Sequence, residues 1–303
     1  MLRALLASAL VVGLSTADYV GAVVEHDIDL GTDDNTPTEL LQKNLAAYGQ
    51  LTRIASSNSA NVVVFPEFGI TAVRDTDRSS LYPFSEKIPE SSPSLVPCTD
   101  ADYQEGHYIL QTSSCMAKNN NIAVLVNTID DVACNKDTDN KCPDDGRYLY
   151  NTDIVFDEKG AFVAKYHKSN EWPGLMPPYN QPESPSMVTY NASFGVDFGI
   201  FTCFDIMHEN PPVELVNAGL THFLYPVQQG DAGEKTIISG WSRKHDVTIL
   251  SANLGAGDEK KQGDCSGIIK SGEDLPTKKY LLRDMGGEFA DSPDNVLIAM
   301  VPV

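Results

Sequence analysis

The chain has 303 residues and a formal net charge of −20. A charge of this sign and size repels phosphate backbones, so it argues against nucleic-acid binding and suits a soluble extracellular protein. The length allows one large domain or two small ones, but no linker rich in glycine, serine or proline, no repeat and no low-complexity tract divides the chain.

The N-terminus has the features of a secretory signal peptide. A short basic start is followed by an apolar stretch, residues 4–14, which is too short to span a bilayer. Small residues at positions 15–17 offer a cleavage site. We therefore predict a signal peptide over residues 1–17, a mature domain over residues 18–303, and secretion to the extracellular space.

Two further features bear on the compartment. The sequon that begins at Asn191 predicts N-glycosylation of that residue, which fits a secretory route. The chain closes on a strand-like run, residues 295–301, and no hydrophobic tail follows it. The sequence therefore predicts no membrane or lipid anchor at this end.

Apolar periodicity predicts strands that alternate with helices along the rest of the chain. The predicted strands are residues 19–24, 62–65, 122–126, 148–156, 161–166, 198–201, 222–225, 247–250 and 296–301. The predicted helices are residues 36–58, which open on a capping-box pattern with proline, then 103–119, a helix from 211 onward, and 232–244. This alternation predicts an α/β fold, and the hairpin formed by residues 148–156 and 161–166 predicts that its sheet is mixed.

Cys203 lies where a catalytic thiol is expected. The apolar strand at residues 198–201 leads to it, and a helix with proline at its first positions follows from residue 211. A thiol on such a strand-to-helix bend faces backbone N–H groups and the positive end of a helix dipole, which both favour the thiolate nucleophile. Taken alone, this run leaves a second interpretation open, a buried and inert core cysteine.

Glu67 follows a short buried strand, and Pro66 ends the pairing of that strand because proline has no N–H to donate. Open α/β sheets place their sites at the carboxyl ends of strands, so Glu67 is a candidate general base. A solvated acid at a strand end is the alternative. Lys168 follows an alternating strand and is a candidate oxyanion stabiliser, with an ordinary surface lysine as the alternative.

Together these runs resemble the nitrilase superfamily of carbon–nitrogen hydrolases, whose Glu-Lys-Cys triad has the order Glu67, Lys168, Cys203. Longer runs narrow the resemblance to its biotinidase and vanin (pantetheinase) branch. These runs are CMAKNN at 115–120, CPDDGRYLYNTDIVF at 142–156, YHK at 166–168, and the segment from 194 that ends in FTCFDI at 206. The likeness extends from about residue 19 to the C-terminus.

The resemblance implies a four-layer αββα sandwich with mixed sheets. It also implies a Cys203 nucleophile, Glu67 as proton acceptor and Lys168 as oxyanion stabiliser, with no cofactor and no metal. The implied partner is a small-molecule amide substrate. Pantetheine, split to pantothenate and cysteamine, and biotinyl-lysine are the candidates within this branch.

Six cysteines in a secreted chain predict disulfides. Cys134 and Cys142 flank a polar segment and suit either a staple at a hairpin tip or a metal knuckle, although two further ligands at usable spacing are missing. The resemblance implies the pairs Cys98–Cys115 and Cys134–Cys142. Cys203 is then left for chemistry and Cys265 has no assigned role.

One departure from the family pattern motivates a different function. The family usually carries a second glutamate seven or eight residues after the lysine, where this chain has Leu175 and Met176. Glu171 and Glu183 are the candidate acids to replace it through another loop path. If neither does, the chain is a secreted binding protein that keeps the nitrilase fold without turnover. A cysteine protease is a third possibility, but no papain-like signature surrounds Cys203.

Overall fold

The computed structural model describes residues 18–29, 34–71, 77–173, 179–228, 233–255 and 265–303. The predicted signal peptide, residues 1–17, lies outside these ranges, and so do Leu175 and Met176.

The described residues form two sheets and four α-helices. The helices are α1 (Pro37–Ser57), α2 (Tyr108–Asn120), α3 (Pro212–Asn217) and α4 (Gly233–His245). The strands are β1 (Tyr19–Glu25), β2 (Val62–Val64), β3 (Ser85–Glu86), β4 (Ala123–Ala133), β5 (Arg147–Phe156), β6 (Phe162–His167), β7 (Val188–Asn191), β8 (Asp197–Ile200), β9 (His222–Val227), β10 (Thr248–Asn253), β11 (Gly267–Lys270), β12 (Glu273–Asp274), β13 (Lys278–Leu281) and β14 (Asn295–Val301).

Both sheets are mixed, as the sequence predicts. The first has the order β13-β14-β1-β2-β4-β5-β6, with β3 paired to β4, and its strands β1, β2 and β4 are parallel. The second has the order β12-β11-β10-β9-β8-β7, and β8, β9 and β10 are parallel within it. The carboxyl ends of these parallel strands are the places where α/β folds form their sites.

The two sheets pack face to face with helices on both outer sides. Side chains of β1 show the arrangement, because Val24 joins the cluster formed with α1 and α2, whereas Val23 joins the cluster between the sheets. On the far side, Ile238 and Trp241 of α4 pack on the second sheet. The four-layer αββα sandwich implied by the resemblance is therefore confirmed.

Helix α1 begins where its sequence predicts. The Thr36 hydroxyl accepts the Glu39 N–H at 3.2 Å and the Glu39 carboxylate accepts the Thr36 N–H at 2.7 Å, which completes a capping box. Strand β4 is longer than the predicted residues 122–126. Its second half contains Asn127 and Asp130, polar residues that are buried and hydrogen-bonded in the structure, whereas a sequence pattern assigns such residues to a loop.

The strands that sequence analysis missed are short and mostly at sheet edges. Strand β12 has two residues, both acidic and exposed, and β13 begins with two exposed lysines. Such segments carry little apolar periodicity, and pairing with a neighbour that is distant in sequence makes them strands. Polar and charged edge strands also resist pairing with other chains.

Two disulfides close loops on the first sheet. Cys98 is bonded to Cys115 on α2, and Cys134 is bonded to Cys142 beside the β4–β5 hairpin. These are the pairs that the resemblance implies, and Cys203 and Cys265 are not disulfide-bonded. Among the described residues, no helix combines the length and apolar character needed to cross a bilayer.

Candidate active site

Glu67, Lys168 and Cys203, which lie far apart in sequence, meet at one edge of the sandwich. They follow the carboxyl ends of β2, β6 and β8 respectively. All three are buried, with 1%, 2% and 5% of their surface exposed. Burial of two charged side chains and a thiol at one point excludes the interpretation of Glu67 as a solvated acid and of Lys168 as a surface lysine.

The Glu67 carboxylate is held by three donors. Its Oε1 accepts Lys168 Nζ at 2.7 Å and Asn151 Nδ2 at 2.7 Å. Its Oε2 accepts the backbone N–H of Gln228 at 3.2 Å. Three donors on one carboxylate fix its orientation, and Oε2 keeps lone-pair capacity for a further proton donor.

The Cys203 thiol lies against this carboxylate. A hydrogen bond to Glu67 is among the causes that raise the pKa of Cys203, and Sγ lies 3.8 Å from the carbonyl oxygen of Gln228. Burial raises the pKa of this thiol well above its ordinary value and the Glu67 charge adds to the rise, against the opposing effect of Lys168. The expectation of a thiolate favoured by a helix dipole is wrong for the resting site, because desolvation outweighs such effects here. Attack by sulfur therefore requires a base, and Glu67 is within reach.

The turn that carries Cys203 is fixed by Asp205. Cys203 has a positive φ of 47° and begins a short 3₁₀ helix, Cys203–Met207. Asp205 is fully buried, and its carboxylate accepts the backbone N–H of Thr202 at 3.0 Å, the hydroxyl of Tyr166 at 2.7 Å and the backbone N–H of Asn170 at 2.8 Å. One carboxylate thus ties the nucleophile turn to the loop that follows Lys168.

Lys168 is charged at neutral pH. Burial by itself lowers the pKa of Lys168, but the nearby Glu67, Cys203 and Glu171 outweigh burial and raise this pKa well above its ordinary value. A buried ammonium group that is held in place by an ion pair is a suitable donor for a developing oxyanion.

The structure distinguishes between the two acids proposed to replace the missing family glutamate. Glu171 Oε2 lies 3.4 Å from Lys168 Nζ, and burial raises the pKa of Glu171 to about 7. Glu183 is exposed and pairs with Lys141 at 2.7 Å. Glu171 is therefore the second carboxylate beside the lysine.

Four polar residues of the site were missed at the level of the sequence. Asn127, Asn151 and Asp153 form a hydrogen-bonded group beneath Glu67, and the Thr202 hydroxyl donates to Asp153 at 2.5 Å. All four are 1% exposed or less. Their signal in the sequence is the presence of amides and a carboxyl group inside strands that are otherwise apolar, in the region that also carries the family resemblance.

An apolar cavity of about 170 Å³ opens beside the nucleophile. It is lined by Trp172, Phe204, Ile206, Met207, Tyr225, Ile237 and Ile238. Tyr225 joins it to the site, because its hydroxyl donates to the Cys203 carbonyl at 2.8 Å. A larger cavity of about 830 Å³ lies around His26, Asn44 and Asp294, but no member of the triad lines it. The smaller cavity is therefore the better candidate for a substrate group.

The predicted glycosylation residue, Asn191, is exposed at the end of the edge strand β7. Its side-chain amide donates to Asp197 at 2.7 Å. The position is accessible, and glycosylation there stays a prediction.

Chemically, the site combines a buried thiol, a carboxylate in contact with it and an ammonium group 2.7 Å from that carboxylate. This arrangement can deprotonate the thiol as it attacks an electrophilic carbon, and it can stabilise negative charge that develops on a carbonyl oxygen.

Sequence comparison relates the chain to one family of hydrolases. The sequence model of the carbon-nitrogen hydrolase family matches residues 22–243. The chain is 37% identical to a pantetheinase of Bos taurus over 248 residues, which are 78% of this chain and 48% of that protein. It is 32% identical to a biotinidase of Takifugu rubripes over 250 residues, again 78% of this chain and 49% of that protein. The chain thus spans about half the length of the curated relatives it matches.

Among solved structures, a mutant of the Nesterenkonia AN1 amidase from the nitrilase superfamily superimposes with a TM-score of 0.62. The superposition covers 96% of this chain and 94% of the amidase, at 15% sequence identity. At that identity the likeness shows the shared fold, and it confirms the fold class predicted from the sequence.

Proposed function

We propose that this chain, which belongs to the carbon-nitrogen hydrolase family, hydrolyses the amide bond of a small linear carboxamide through a thioester on Cys203. The observation that carries the proposal is the direct contact of Glu67 with both Lys168 and Cys203 inside a buried site. Cys203 then serves as nucleophile, Glu67 as base and acid, and Lys168 as oxyanion donor, and water is the only further reactant.

In the first half-reaction, Glu67 takes the Cys203 proton while Sγ attacks the amide carbon. Lys168 Nζ and the backbone N–H of Phe204 stabilise the oxyanion of the tetrahedral intermediate. The intermediate collapses when Glu67 returns the proton to the nitrogen, so the amine leaves and the acyl group stays on sulfur as a thioester.

In the second half-reaction, Glu67 takes a proton from water as the water oxygen attacks the thioester carbon. The second tetrahedral intermediate expels the sulfur, which recovers its proton from Glu67, and the carboxylic acid is released. The positively charged Lys168 serves both oxyanions, since it keeps its proton throughout.

The apolar cavity supports a substrate whose acyl side carries a compact apolar group. A cavity of about 150 Å³ in another protein holds one benzene molecule, so 170 Å³ accommodates a group of about six carbon atoms. The acyl side is assigned because the acyl group stays bound through both half-reactions, whereas the amine must leave to solvent and be replaced by water. Pantetheine and biotinyl-lysine, the candidates that the family resemblance implies, carry larger and more polar acyl groups than this cavity alone holds, so they are assayed together with simple aliphatic amides.

We further propose that the chain is secreted as a domain over residues 18–303 after removal of residues 1–17. The two disulfides support an oxidising compartment. The exposure of Asn191 is compatible with glycosylation in the same route.

The alternative of a binding protein without turnover rested on a missing second glutamate. Glu171 now provides a carboxylate 3.4 Å from Lys168, so that reason for inactivity is removed. The amidase is therefore the preferred proposal.

The deciding experiment compares the same substitution at two buried cysteines, Cys203 and Cys265. Cys203→Ala should abolish hydrolysis of pantetheine, biotinyl-lysine and simple aliphatic amides, whereas Cys265→Ala should keep it. Glu67→Gln should remove the base and slow formation of the thioester, which intact-mass spectrometry of quenched reactions detects as an acyl adduct on the Cys203 peptide. Binding of an amide by the wild type without any turnover or adduct would favour the binding protein.

A further inference from the structure

A chain of buried hydrogen bonds connects Glu67 with the residue before Cys203. Asn151 Nδ2 donates to Glu67 Oε1 at 2.7 Å, and Asn127 Nδ2 donates to Asn151 Oδ1 at 2.7 Å. Asn127 Nδ2 also donates to Asp153 Oδ1 at 2.8 Å, and the Thr202 hydroxyl donates to Asp153 Oδ2 at 2.5 Å. These hydrogen bonds therefore connect a carboxylate that follows a strand of the first sheet with a hydroxyl that follows a strand of the second.

The topology of the first sheet brings these side chains together. Asn127 on β4 lies directly opposite Asp153 on β5 in the strand register. Asn151 precedes Asp153 by two residues, so both side chains project from the same face of β5. Rigid strands thus hold the middle of the chain, whereas Glu67 and Thr202 at its ends belong to segments that follow strands.

At each end of this hydrogen-bond network lies a non-glycine residue with a positive φ angle. Phe68, next to Glu67, has a φ of 60°, and Cys203, next to Thr202, has a φ of 47°. Non-glycine residues in this region of backbone space are strained and persist only where the surroundings enforce them. Asn127 Oδ1 accepts the Phe68 N–H at 2.9 Å, while Asp153 holds Thr202.

We propose that Asn127 and Asp153 are positioning residues that hold the Glu67 carboxylate and the Cys203 thiol at the distance and orientation needed for proton transfer between them. They do so by fixing the two strained backbone positions through one shared set of hydrogen bonds. This inference rests on the proposed function, because it takes Glu67 as the base that acts on Cys203.

The Thr202 hydroxyl is the point at which this chain can be cut with least disturbance. Asp153→Ala would leave a cavity among fully buried groups and could simply fail to fold. Thr202→Val keeps the shape of the side chain and removes its hydroxyl, which is the donor to Asp153 and also the acceptor of the Asp205 N–H in the capping box of this turn. Thr202→Ser restores that donor without the methyl group.

The protein also contains a residue, Thr128, that serves as a matched control. Thr128 follows Asn127 on β4, is 1% exposed, and its hydroxyl has no hydrogen-bond partner among the described residues. Thr128→Val is therefore the same chemical change at a buried site on the first sheet, next to Asn127, without loss of a contact to the network.

The first measurement is amide hydrolysis. Thr202→Val should lower kcat about 10- to 100-fold, the effect of a displacement of about 1 Å between reacting groups, with a change in KM below about threefold. Thr202→Ser and Thr128→Val should stay within about twofold of the wild type. Retained kcat in Thr202→Val, or an equal loss in Thr202→Ser, overturns the inference.

The second measurement needs no substrate and is read at the Cys203 peptide by mass spectrometry. Iodoacetamide forms the Sγ–C bond and releases iodide, while the thiol proton goes to Glu67 when the two groups are aligned. The labelling rate of the wild type should then change little between pH 6 and 8. In Thr202→Val it should follow the thiolate fraction and rise about tenfold per pH unit.

The slope of labelling rate against pH distinguishes a loss of alignment between Glu67 and Cys203 from a more open site. A more open site admits iodoacetamide faster by the same factor at every pH, so it leaves the slope unchanged. If the wild type hydrolyses no amide but the slope steepens in Thr202→Val, the proposed function fails and the positioning stands. If the wild type hydrolyses amides and both kcat and the slope are unchanged in Thr202→Val, the function stands and the positioning is overturned.

Discussion

Lys168 Nζ donates to Glu67 Oε1 at 2.7 Å, and the two side chains are only 2% and 1% exposed. Loss of either partner should therefore affect the free energy of unfolding as well as the rate of hydrolysis. A buried charge that loses its partner is strongly destabilising, whereas a pair replaced by neutral groups of similar volume is often tolerated.

We predict that Lys168→Met loses about 3–5 kcal/mol of stability to unfolding because it leaves Glu67 buried and unpaired. Hydrolysis should also fall by roughly a hundredfold or more through the lost oxyanion donor. The double variant Glu67→Gln/Lys168→Met should recover most of the stability in urea unfolding while remaining inactive. Equal stability of the single and double variants would contradict the ion-pair argument.

A glycine near the base is required by a close contact with a buried tyrosine. A Cβ at Gly69 would clash with the Tyr48 hydroxyl, and the Tyr48 ring is held by stacking on Phe65 with ring centroids 3.8 Å apart. We predict that Gly69→Ala lowers both the melting temperature and the turnover. Gly49→Ala, on α1 with nothing within 4 Å of the new Cβ, should instead raise stability by up to about 1 kcal/mol. Wild-type behaviour of Gly69→Ala would show that Tyr48 does move.

Helix α2 is capped from outside its own sequence. Its N-cap residue, His107, makes no side-chain capping bond, and the Glu86 carboxylate accepts the N–H groups of Ile109 at 2.7 Å and Leu110 at 3.2 Å. We predict that Glu86→Ala costs about 1–3 kcal/mol in thermal or denaturant unfolding, because two buried donors lose their acceptor. The exposed Glu105 provides the control, and Glu105→Ala should change stability by less than about 0.5 kcal/mol.

Stability should depend on pH through Asp153. Burial raises the pKa of Asp153 from 3.8 to about 7, so between these values the folded protein holds a proton that the unfolded chain has released. The stabilisation by this proton is present below the unfolded pKa and is lost as the pH rises through about 7.

We predict that Asp153→Asn, which cannot titrate, gains stability relative to the wild type as the pH rises from 4 to 8. The relative gain should reach about 4 kcal/mol at most, from about 3 pKa units. Taking the difference between the two proteins at each pH cancels the titrations that they share. A difference that is constant across this range would exclude the raised pKa.

The apolar cavity should determine acyl-chain preference. Each buried methylene contributes about 0.8 kcal/mol, so kcat/KM of the wild type should rise about fourfold per methylene along a series of aliphatic amides up to about six carbons. Trp172, whose ring meets that of Phe204 at 4.7 Å, forms part of the cavity, and Trp172→Ala should flatten this series. Met187→Ala, an exposed residue outside the lining, should leave the series unchanged. A wild-type series without any length dependence would remove the cavity from the substrate site.

Much of the fold could be predicted from sequence because it follows from local and periodic features. The capping box at Thr36 and Glu39 determines where α1 begins, since its two bonds join residues three positions apart. Apolar runs such as Val62–Val64 predict strands because only burial on both faces suits them. Glu67, Lys168 and Cys203 each follow a strand that is apparent from its own neighbourhood, but the local pattern left an alternative open for each, and the family resemblance assigned them as a triad.

The polar contacts of the site depend on tertiary structure. Asn127 and Asp153 are 26 residues apart, and only the antiparallel register of β4 and β5 sets their side chains opposite each other. A sequence pattern predicts that such polar residues are exposed to solvent. Inside the sandwich, each of them instead has hydrogen-bond partners from other elements. The same holds for Glu171, which becomes the second carboxylate because the loop after Lys168 brings it back to the lysine.

By itself, then, the sequence determined the α/β class, the strand ends that carry the three candidate catalytic residues, and the chemistry that those residue types permit. Tertiary structure alone decided the protonation of the resting thiol, the acid that accompanies Lys168 and the hydrogen bonds that connect Glu67 with the turn of Cys203. The physical reason is that strand and helix patterns depend on near neighbours and burial periodicity. Desolvation and hydrogen-bond partnership depend instead on which distant segments meet, as Glu67 and Cys203 do across the two sheets.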